Sequence, residues 1–150
     1  MYDIQDLYQE IIMDHNSRPR NFRAIEDHTS KVDGFNPLCG DQVTVYLKIE
    51  LGIVVDVSFE GVGCAISKSS ASMMTESVKG KNLDEAKILF ATFREMITRK
   101  PNEIHEDDSL GDLSILQGVT RFPARIKCAT LSWHALQAAL DGEASKVSTE

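Results

Sequence analysis

The sequence predicts an α+β domain in which a small antiparallel sheet of about three strands carries helices packed on one of its faces. Two observations lead to this fold class. Alternating apolar residues cluster early in the chain, after one opening helix, whereas apolar residues at helical spacing fill the later part. Strands and helices that are segregated in this way favour an α+β arrangement. No linker, repeat or low-complexity stretch divides the chain, so we expect one domain over residues 1–150.

The early part of the chain predicts one helix and a β-hairpin. Residues 2–15 place apolar side chains at helical spacing, which indicates an amphipathic helix, whereas residues 16–37 are polar and irregular. Apolar and polar residues then alternate over 42–50 and again over 53–61. Because a short glycine-containing link joins these two runs, we expect them to pair as an antiparallel hairpin. A third short extended piece ends at Cys64.

The later part of the chain predicts three helices, over residues 67–80, 82–100 and 122–140. The second begins with Asn82 and has Glu85 three residues later, the pattern of a capping box. Pro123 suits the first turn of the third helix. Residues 102–118 form an acidic stretch with one short helix at most. The ordered core is expected to end near Leu140, and the tail beyond it to be frayed.

Composition excludes several classes of function. A net charge of −7 argues against nucleic acid as a partner, because phosphates demand a basic surface. It argues equally against an anionic membrane surface. No apolar run approaches the roughly 20 residues that a membrane span needs, and the N-terminus lacks the basic-then-apolar layout of a signal peptide. We therefore expect a cytoplasmic protein.

Three cysteines lie at the ends of predicted elements. Cys39 is in a turn before the first strand, Cys64 is at the end of the sheet before a helix, and Cys128 is near the start of the final helix. An odd number of cysteines without an export signal argues against a disulfide framework. Buried structural cysteines usually lie in the middle of an element, whereas element ends present side chains from loops on a rigid scaffold. Their placement therefore favours a functional role.

A carboxylate completes the set of candidate metal ligands. Asp41 follows Cys39 by two positions, so that a thiolate and a carboxylate can bind one ion. Gly40 beside this pair, and Gly61 and Gly63 before the second cysteine, free the backbone for close approach to a ligand. Three thiolates and one carboxylate suffice to close a tetrahedral zinc site. The spacing alone leaves a second interpretation open, that of small buried residues at turns, because CxD is a weaker signal than CxxC.

Three segments carry a family resemblance: NPLCGDQVTVYL, GVGCAISKSSASMMTE and FPARIKCATLSWHAL. They resemble the three cysteine-containing blocks of the IscU/NifU-N family of iron–sulfur scaffold proteins, and they are most similar to its SufU branch. The resemblance extends from the opening helix to about Leu140 and implies an IscU/NifU-N-like fold. One departure concerns the third cysteine: IscU-type scaffolds carry His immediately before it, whereas this chain has Lys127. The acidic segment before Cys128 also looks like the extra stretch of the SufU branch.

The resemblance implies a zinc protein that acts as a sulfurtransferase-like acceptor. It would take persulfide sulfur from a cysteine desulfurase, a SufS-like pyridoxal-phosphate enzyme that supplies its own cofactor. By analogy, Cys39 is the sulfur acceptor, while Asp41, Cys64 and Cys128 keep hold of the zinc. Without the histidine, Asp41 is the natural oxygen ligand. Arg125 lies three residues before Cys128 on the same helical face and is a further candidate for the catalytic machinery.

Two other functions stay open. The same four residues could hold a [2Fe–2S] cluster or iron in a true scaffold, since thiolates are the usual cluster ligands. Cluster scaffolds or acceptor apoproteins would then be further partners. Alternatively, zinc is purely structural and the protein is an interaction module.

The remaining polar candidates are predicted to lie outside the site. His15, His28 and His105 are expected to be surface residues, and His134 a packing or surface residue. The run from Glu103 to Asp112 is most simply a solvated acidic loop, with docking of a basic partner as the alternative.

Overall fold

Helices cover one face of a four-stranded sheet in the computed structural model, which describes residues 4–98, 108–142 and 146–148. The helices are α1 (Ile4–Ser17), α2 (Ala65–Val78), α3 (Leu83–Ile97) and α4 (Pro123–Asp141), with a 3₁₀ segment over Asp108–Arg121. The strands are β1 (Ser30–Asn36), β2 (Asp41–Glu50), β3 (Ile53–Val62) and β4 (Lys146–Ser148). The predicted α+β fold class is confirmed.

The predicted hairpin forms the centre of the sheet. Strand order is β3-β2-β1-β4; β2 is antiparallel to both neighbours, and β4 runs parallel to β1. The hairpin turn consists of Leu51 with φ 53° and Gly52 with φ 76°, so both residues are left-handed. A two-residue turn of this hand matches the right-handed twist of the strands that it joins.

Strand β1 lies in the segment that the sequence predicts to be irregular. Its inward positions are Val32, Gly34 and Asn36, so only one large apolar side chain marks the buried face. Phe35 points outward, so the bulkiest apolar side chain of this strand lies on its exposed face. The predicted extended piece before Cys64 is not a separate strand, because β3 continues to Val62. The sheet therefore gains its third strand before the hairpin and not after it.

The acidic stretch also differs from its prediction. Leucines and valine recur every third residue in the 3₁₀ segment and are buried: Leu110, Leu113, Leu116 and Val119. A repeat of three is the period at which 3₁₀ side chains eclipse, so this spacing selects one buried face. Gly111, with φ 54°, interrupts the segment. Half of the predicted acidic loop, residues 103–107, lies outside the described residues, and the tail expected to be frayed contributes β4.

Helix ends agree closely with the sequence patterns. Asn82 accepts a hydrogen bond from the Glu85 N–H (2.8 Å), and the Glu85 carboxylate accepts one from the Asn82 N–H (3.0 Å), which confirms the capping box. Pro123 occupies the first turn of α4, and Gly80 (φ 88°) lies just beyond α2. Among the described residues, no helix has the length and apolar character that crossing a bilayer requires.

The core joins α4 to α2, α3 and the sheet. Trp133 is fully buried, stacks on Phe93 at 4.4 Å between ring centroids, and donates its indole N–H to Ser70 Oγ (3.1 Å). Burial of a large apolar side chain contributes roughly 1.5–3 kcal/mol to folding. On the sheet side, a Cβ at Gly34 would lie 3.2 Å from Leu131 Cδ1, so α4 approaches β1 closely. This close packing fixes the height of Cys128, one turn earlier on α4, above the sheet.

Candidate metal centre

Cys39 lies in the turn that connects β1 to β2. Asn36 holds this turn from below: its carbonyl accepts from the Gly40 N–H (2.9 Å) and its Oδ1 accepts from the Leu38 N–H (3.2 Å). Gly40 has φ 72°, a left-handed conformation that lets the turn close. Cys39 itself is exposed, whereas Asn36 is completely buried. The turn therefore presents the Cys39 thiol to solvent on a short, internally anchored loop.

Asp41 is the first residue of β2 and is fully buried. Its Oδ1 accepts a hydrogen bond from the Cys64 N–H (2.9 Å), and its Oδ2 lies 3.8 Å from Cys64 Sγ. Burial of a carboxylate is costly unless hydrogen bonds or an opposite charge compensate it. One backbone amide and one weak thiol donor are modest compensation. A cation beside Oδ2 would supply the rest.

Cys64 is the N-cap of α2. Its sulfur accepts the N–H of Ser67 (3.4 Å) at the end of the helix where backbone N–H groups are unpaired. The positive end of the helix dipole lies at this position, where a metal-bound sulfur or another negatively charged group interacts favourably with it. The side chain is half-buried.

Cys128 faces the same point from α4. It is only 3% exposed, its Sγ lies 3.4 Å from Cys39 Sγ, and the Asn36 amide donates to it at 3.6 Å. Burial raises the pKa of Cys128 well above that of a free thiol, and interactions with Asp41, Cys39 and Cys64 raise it further. Neighbouring acidic groups crowded in this way oppose ionisation of the Cys128 thiol. A bound cation reverses that opposition, since metal binding and thiol deprotonation are coupled.

The structure brings three of the four predicted ligands into one compact group. Ligand atoms of Cys39, Asp41 and Cys128 all lie within 4.8 Å of one another. Cys64 Sγ falls outside this group but touches Asp41 Oδ2, as described above. Zinc–sulfur bonds of about 2.3 Å imply sulfur–sulfur separations of roughly 3.8 Å in a tetrahedron, close to the 3.4 Å between Cys39 and Cys128. The donor set and its spacing therefore fit a thiolate-rich metal site.

Arg125 lies on α4, three residues before Cys128. It is exposed on the first turn of α4, and its guanidinium carbon lies 4.4 Å above the centre of the Phe122 ring. Among the described side chains, its recorded interactions are with Phe122 and, through charge alone, with Tyr8. Its predicted role in the chemistry stays a prediction.

Three residues near the site were not singled out from the sequence for the roles their contacts suggest. Asn36 bridges the Cys39 turn and the Cys128 sulfur, and Gly63 leaves room for the Asp41 carboxylate. Tyr8 of α1 has a buried hydroxyl for which the described residues provide no hydrogen-bond partner, and burial raises its pKa, against the lowering charge of Arg125 and with a further contribution from Cys64. Only the glycine left a local signal, since GVGC marks an unusual approach of the backbone to the cysteine.

The compact group contains no histidine. The prediction for His15 is wrong in one respect: the residue is only 4% exposed, and its Nδ1 lies 2.7 Å from Ser72 Oγ. His28 is exposed as predicted, and His134 packs edge-on against Phe90. His105 lies outside the described residues.

Comparisons with known proteins give a family match and similar relatives. Residues 7–141 match the family described as the NifU-like N terminal domain. The chain is similar to the zinc-dependent sulfurtransferase SufU of Bacillus subtilis (strain 168), with 47% identity over 135 residues, 90% of each chain. It is also similar to the iron–sulfur cluster assembly scaffold protein IscU of Streptococcus pyogenes serotype M1, with 38% identity over 95% of this chain and 87% of the relative.

Solved structures show the same fold. A crystal structure from Fervidobacterium islandicum AW-1, described as a candidate iron–sulfur cluster assembly scaffold protein for the SUF system, superposes with a TM-score of 0.81. It is 34% identical, and the match covers 89% of this chain and 96% of that one. The N-terminal part of a NifU-like protein from Brucella abortus gives a TM-score of 0.80 at 23% identity, over 95% and 100% of the two chains. The second likeness concerns the fold alone.

Proposed function

This chain belongs to the family of NifU-like N-terminal domains, and from that premise we propose that it is a zinc-bound sulfur acceptor in iron–sulfur cluster assembly. It takes persulfide sulfur from a cysteine desulfurase. The observation that carries the proposal is the pairing of an exposed thiol, Cys39, with a buried thiol, Cys128, beside the buried carboxylate of Asp41. A relative with 47% identity is named a zinc-dependent sulfurtransferase, which supports the choice of metal and reaction.

Zinc would be held by Cys39, Asp41, Cys64 and Cys128. When bound, zinc keeps the thiols deprotonated and shields them from oxidation, at a formal charge of about −2 for three thiolates and one carboxylate. The buried residues retain the metal, because Asp41 and Cys128 are closed off from water by the packing of β2 and α4.

Cys39 carries out the transfer. Its thiolate attacks the outer sulfur of the persulfide on the partner desulfurase, the sulfur–sulfur bond breaks, and the partner cysteine leaves as a thiolate. Cys39 is left as a persulfide, so no external oxidant or reductant is consumed. The short turn between Asn36 and Asp41 gives the partner direct access to this thiol. Arg125 contributes exposed positive charge at the start of α4, which attracts the anionic persulfide.

The transfer is tested with a SufS-like cysteine desulfurase and free cysteine as the sulfur source. We expect intact-mass analysis to find the persulfide on the wild-type protein. The rate of persulfide formation should fall by at least about a thousandfold in Cys39→Ser, because serine cannot replace the attacking thiolate. The variant keeps its fold and binds zinc through the other three residues. Undiminished sulfur acceptance by Cys39→Ser would remove Cys39 from the reaction.

A second candidate function is supported by relatives that are named cluster scaffolds. The same thiolates would then hold a [2Fe–2S] cluster, with Asp41 as the oxygen ligand. Anaerobic reconstitution with iron and sulfide, followed by transfer to an acceptor apoprotein, separates the two functions. A sulfur acceptor forms no stable, transferable cluster under these conditions, whereas a scaffold does. If zinc were purely structural, each ligand substitution would unfold the protein, including Cys39→Ser.

A further inference from the structure

The Asp41 carboxylate rests directly on the backbone of residues 63–64. One oxygen, Oδ1, accepts the Cys64 N–H at 2.9 Å, while the other, Oδ2, lies 3.8 Å from the Cys64 sulfur. The carboxylate is fully buried, so water does not compete for either oxygen. The two oxygens of one side chain therefore have different tasks.

Gly63 supplies the space for this arrangement. A Cβ at position 63 would lie 2.5 Å from Asp41 Oδ1, 3.1 Å from its Cγ and 3.2 Å from its Cβ. The first distance is below any that real Cβ atoms adopt, so the carboxylate would have to move. The backbone of Gly63 is not left-handed, so its conformation alone does not demand glycine. The demand comes from the Asp41 side chain.

Gly61 provides a contrast two residues earlier. It has φ 156°, and a Cβ there would lie 2.1 Å from the Gln42 carbonyl oxygen, which belongs to the neighbouring strand. Gly61 is thus required by the packing of backbone on backbone. The two glycines of the same motif are required by different neighbours, and only Gly63 is required by the side chain of a candidate metal ligand.

We propose that Gly63 is a positioning residue of the metal site: its missing side chain seats Asp41 so that Oδ1 is reserved for the Cys64 amide and Oδ2 alone is offered to the metal. The inference rests on the proposed zinc site. Three thiolates and a carboxylate that binds through one oxygen make four donors, the number that structural zinc sites prefer. Outer hydrogen bonds of this kind orient metal ligands, and their loss typically lowers metal affinity about 10–100-fold.

A double-mutant cycle between Gly63 and Asp41 tests the proposal. Zinc affinity is measured by competition with a chromophoric chelator, and the ligand field by the electronic spectrum of the Co²⁺-substituted protein. We expect Gly63→Ala to lower zinc affinity by about 10–100-fold and to shift the Co²⁺ bands. In the Asp41→Ala background the same substitution has no further effect, because the two closest atoms that it displaces are gone.

Thermal unfolding of the metal-free variants separates positioning from folding. Gly80→Ala is the control: its left-handed φ of 88° strains an alanine, but among the described residues no atom beyond its chain neighbours lies within 4 Å of the added Cβ, so we expect the Co²⁺ spectrum to stay unchanged. If Gly63→Ala fails to fold, the proposal requires that adding Asp41→Ala restores folding. An equal loss of affinity in both backgrounds, a wild-type Co²⁺ spectrum, or failure of the double variant to fold would overturn it. Absence of zinc binding by the wild-type protein would instead overturn the proposed function.

Discussion

The two thiols that meet at the site lie in opposite environments. Their sulfurs are 3.4 Å apart, yet Cys39 is exposed on a four-residue turn and Cys128 is 3% exposed within a helix that packs on the sheet. The turn is held by the hydrogen bonds of Asn36, whereas α4 is held by Trp133 and the rest of the core. Regions with few buried contacts open at lower free energy than the core does. The comparison teaches that two adjacent sulfurs differ in burial, and this is the difference that the proposed function needs between the thiol that transfers sulfur and the thiol that retains the metal.

The largest expected effect is on stability, and it should be much larger for Cys128 than for Cys39. Cys128→Ser removes a buried ligand and with it zinc-linked stabilisation of about 3 kcal/mol, the value for free zinc at 100 times its dissociation constant. Cys39→Ser leaves three ligands in place and should lose only a fraction of that. Thermal unfolding with saturating zinc, and again with a chelator, measures both. Equal losses for the two variants would contradict the division into a retaining and an accessible side.

A smaller effect is expected at Asn36, which touches both sides of the site. Asn36→Asp keeps an oxygen for the Leu38 N–H but removes the amide that donates to Cys128 Sγ and adds a negative charge. We expect zinc affinity to fall about 10–100-fold, as it does when outer hydrogen bonds to ligands are lost. Asn36→Ala should lower it similarly and also speed hydrogen exchange at the Leu38 amide. If Asn36→Asp binds zinc as the wild type does, Asn36 acts only through the turn.

The smallest expected effect is a pH dependence of stability that comes from the buried His15. Burial lowers the pKa of His15, and Arg20 lowers it further, against the opposing charges of Glu76, Asp14 and Asp112. The folded state therefore favours the neutral ring. Its contribution to stability is complete above the unfolded pKa of about 6.5 and is lost as the pH falls through the lower folded pKa. We expect the melting temperature of the metal-free protein to fall between pH 7.5 and 5.5.

His15→Gln is the control for that measurement. The variant should show a weaker dependence over the same range, since glutamine does not titrate. The pKa of His134 is also lowered by burial, so part of the dependence should remain. Use of metal-free protein keeps protonation of the thiolates out of the comparison. An unchanged pH dependence in His15→Gln would assign the effect to other groups.

Local patterns predicted the parts of the fold that local forces decide. The Asn82–Glu85 capping box, the proline at the start of α4 and the β2–β3 hairpin are all set by residues close together in sequence. Strand β1 was not predicted because Gly34 and Asn36 stand where apolar residues would mark its inner face. Gly34 leaves room for α4, and Asn36 anchors the turn that carries Cys39. The three residues of β4 are too few for a periodic signal.

The site was likewise predicted only in part: its candidate ligands were predicted, whereas the residues that support them were not. The resemblance and the residue types pointed to Cys39, Asp41, Cys64 and Cys128, and the structure brings them into contact as described above. The residues that support them could not be read from spacing. The Asn36 amide meets a sulfur 92 residues away, and such a contact exists only once α4 lies on the sheet.

The close packing of α4 on β1 has a consequence for the spacing of the candidate metal ligands. At Gly34 the separation of helix and sheet is limited by a hydrogen atom, with Leu131 packed against it. The distance from Cys128 to the loop opposite follows from that separation. A side chain at position 34 would push α4 away from β1 and widen the spacing between the Cys128 sulfur and the Cys39 turn, although Gly34 itself is not one of the grouped ligand residues.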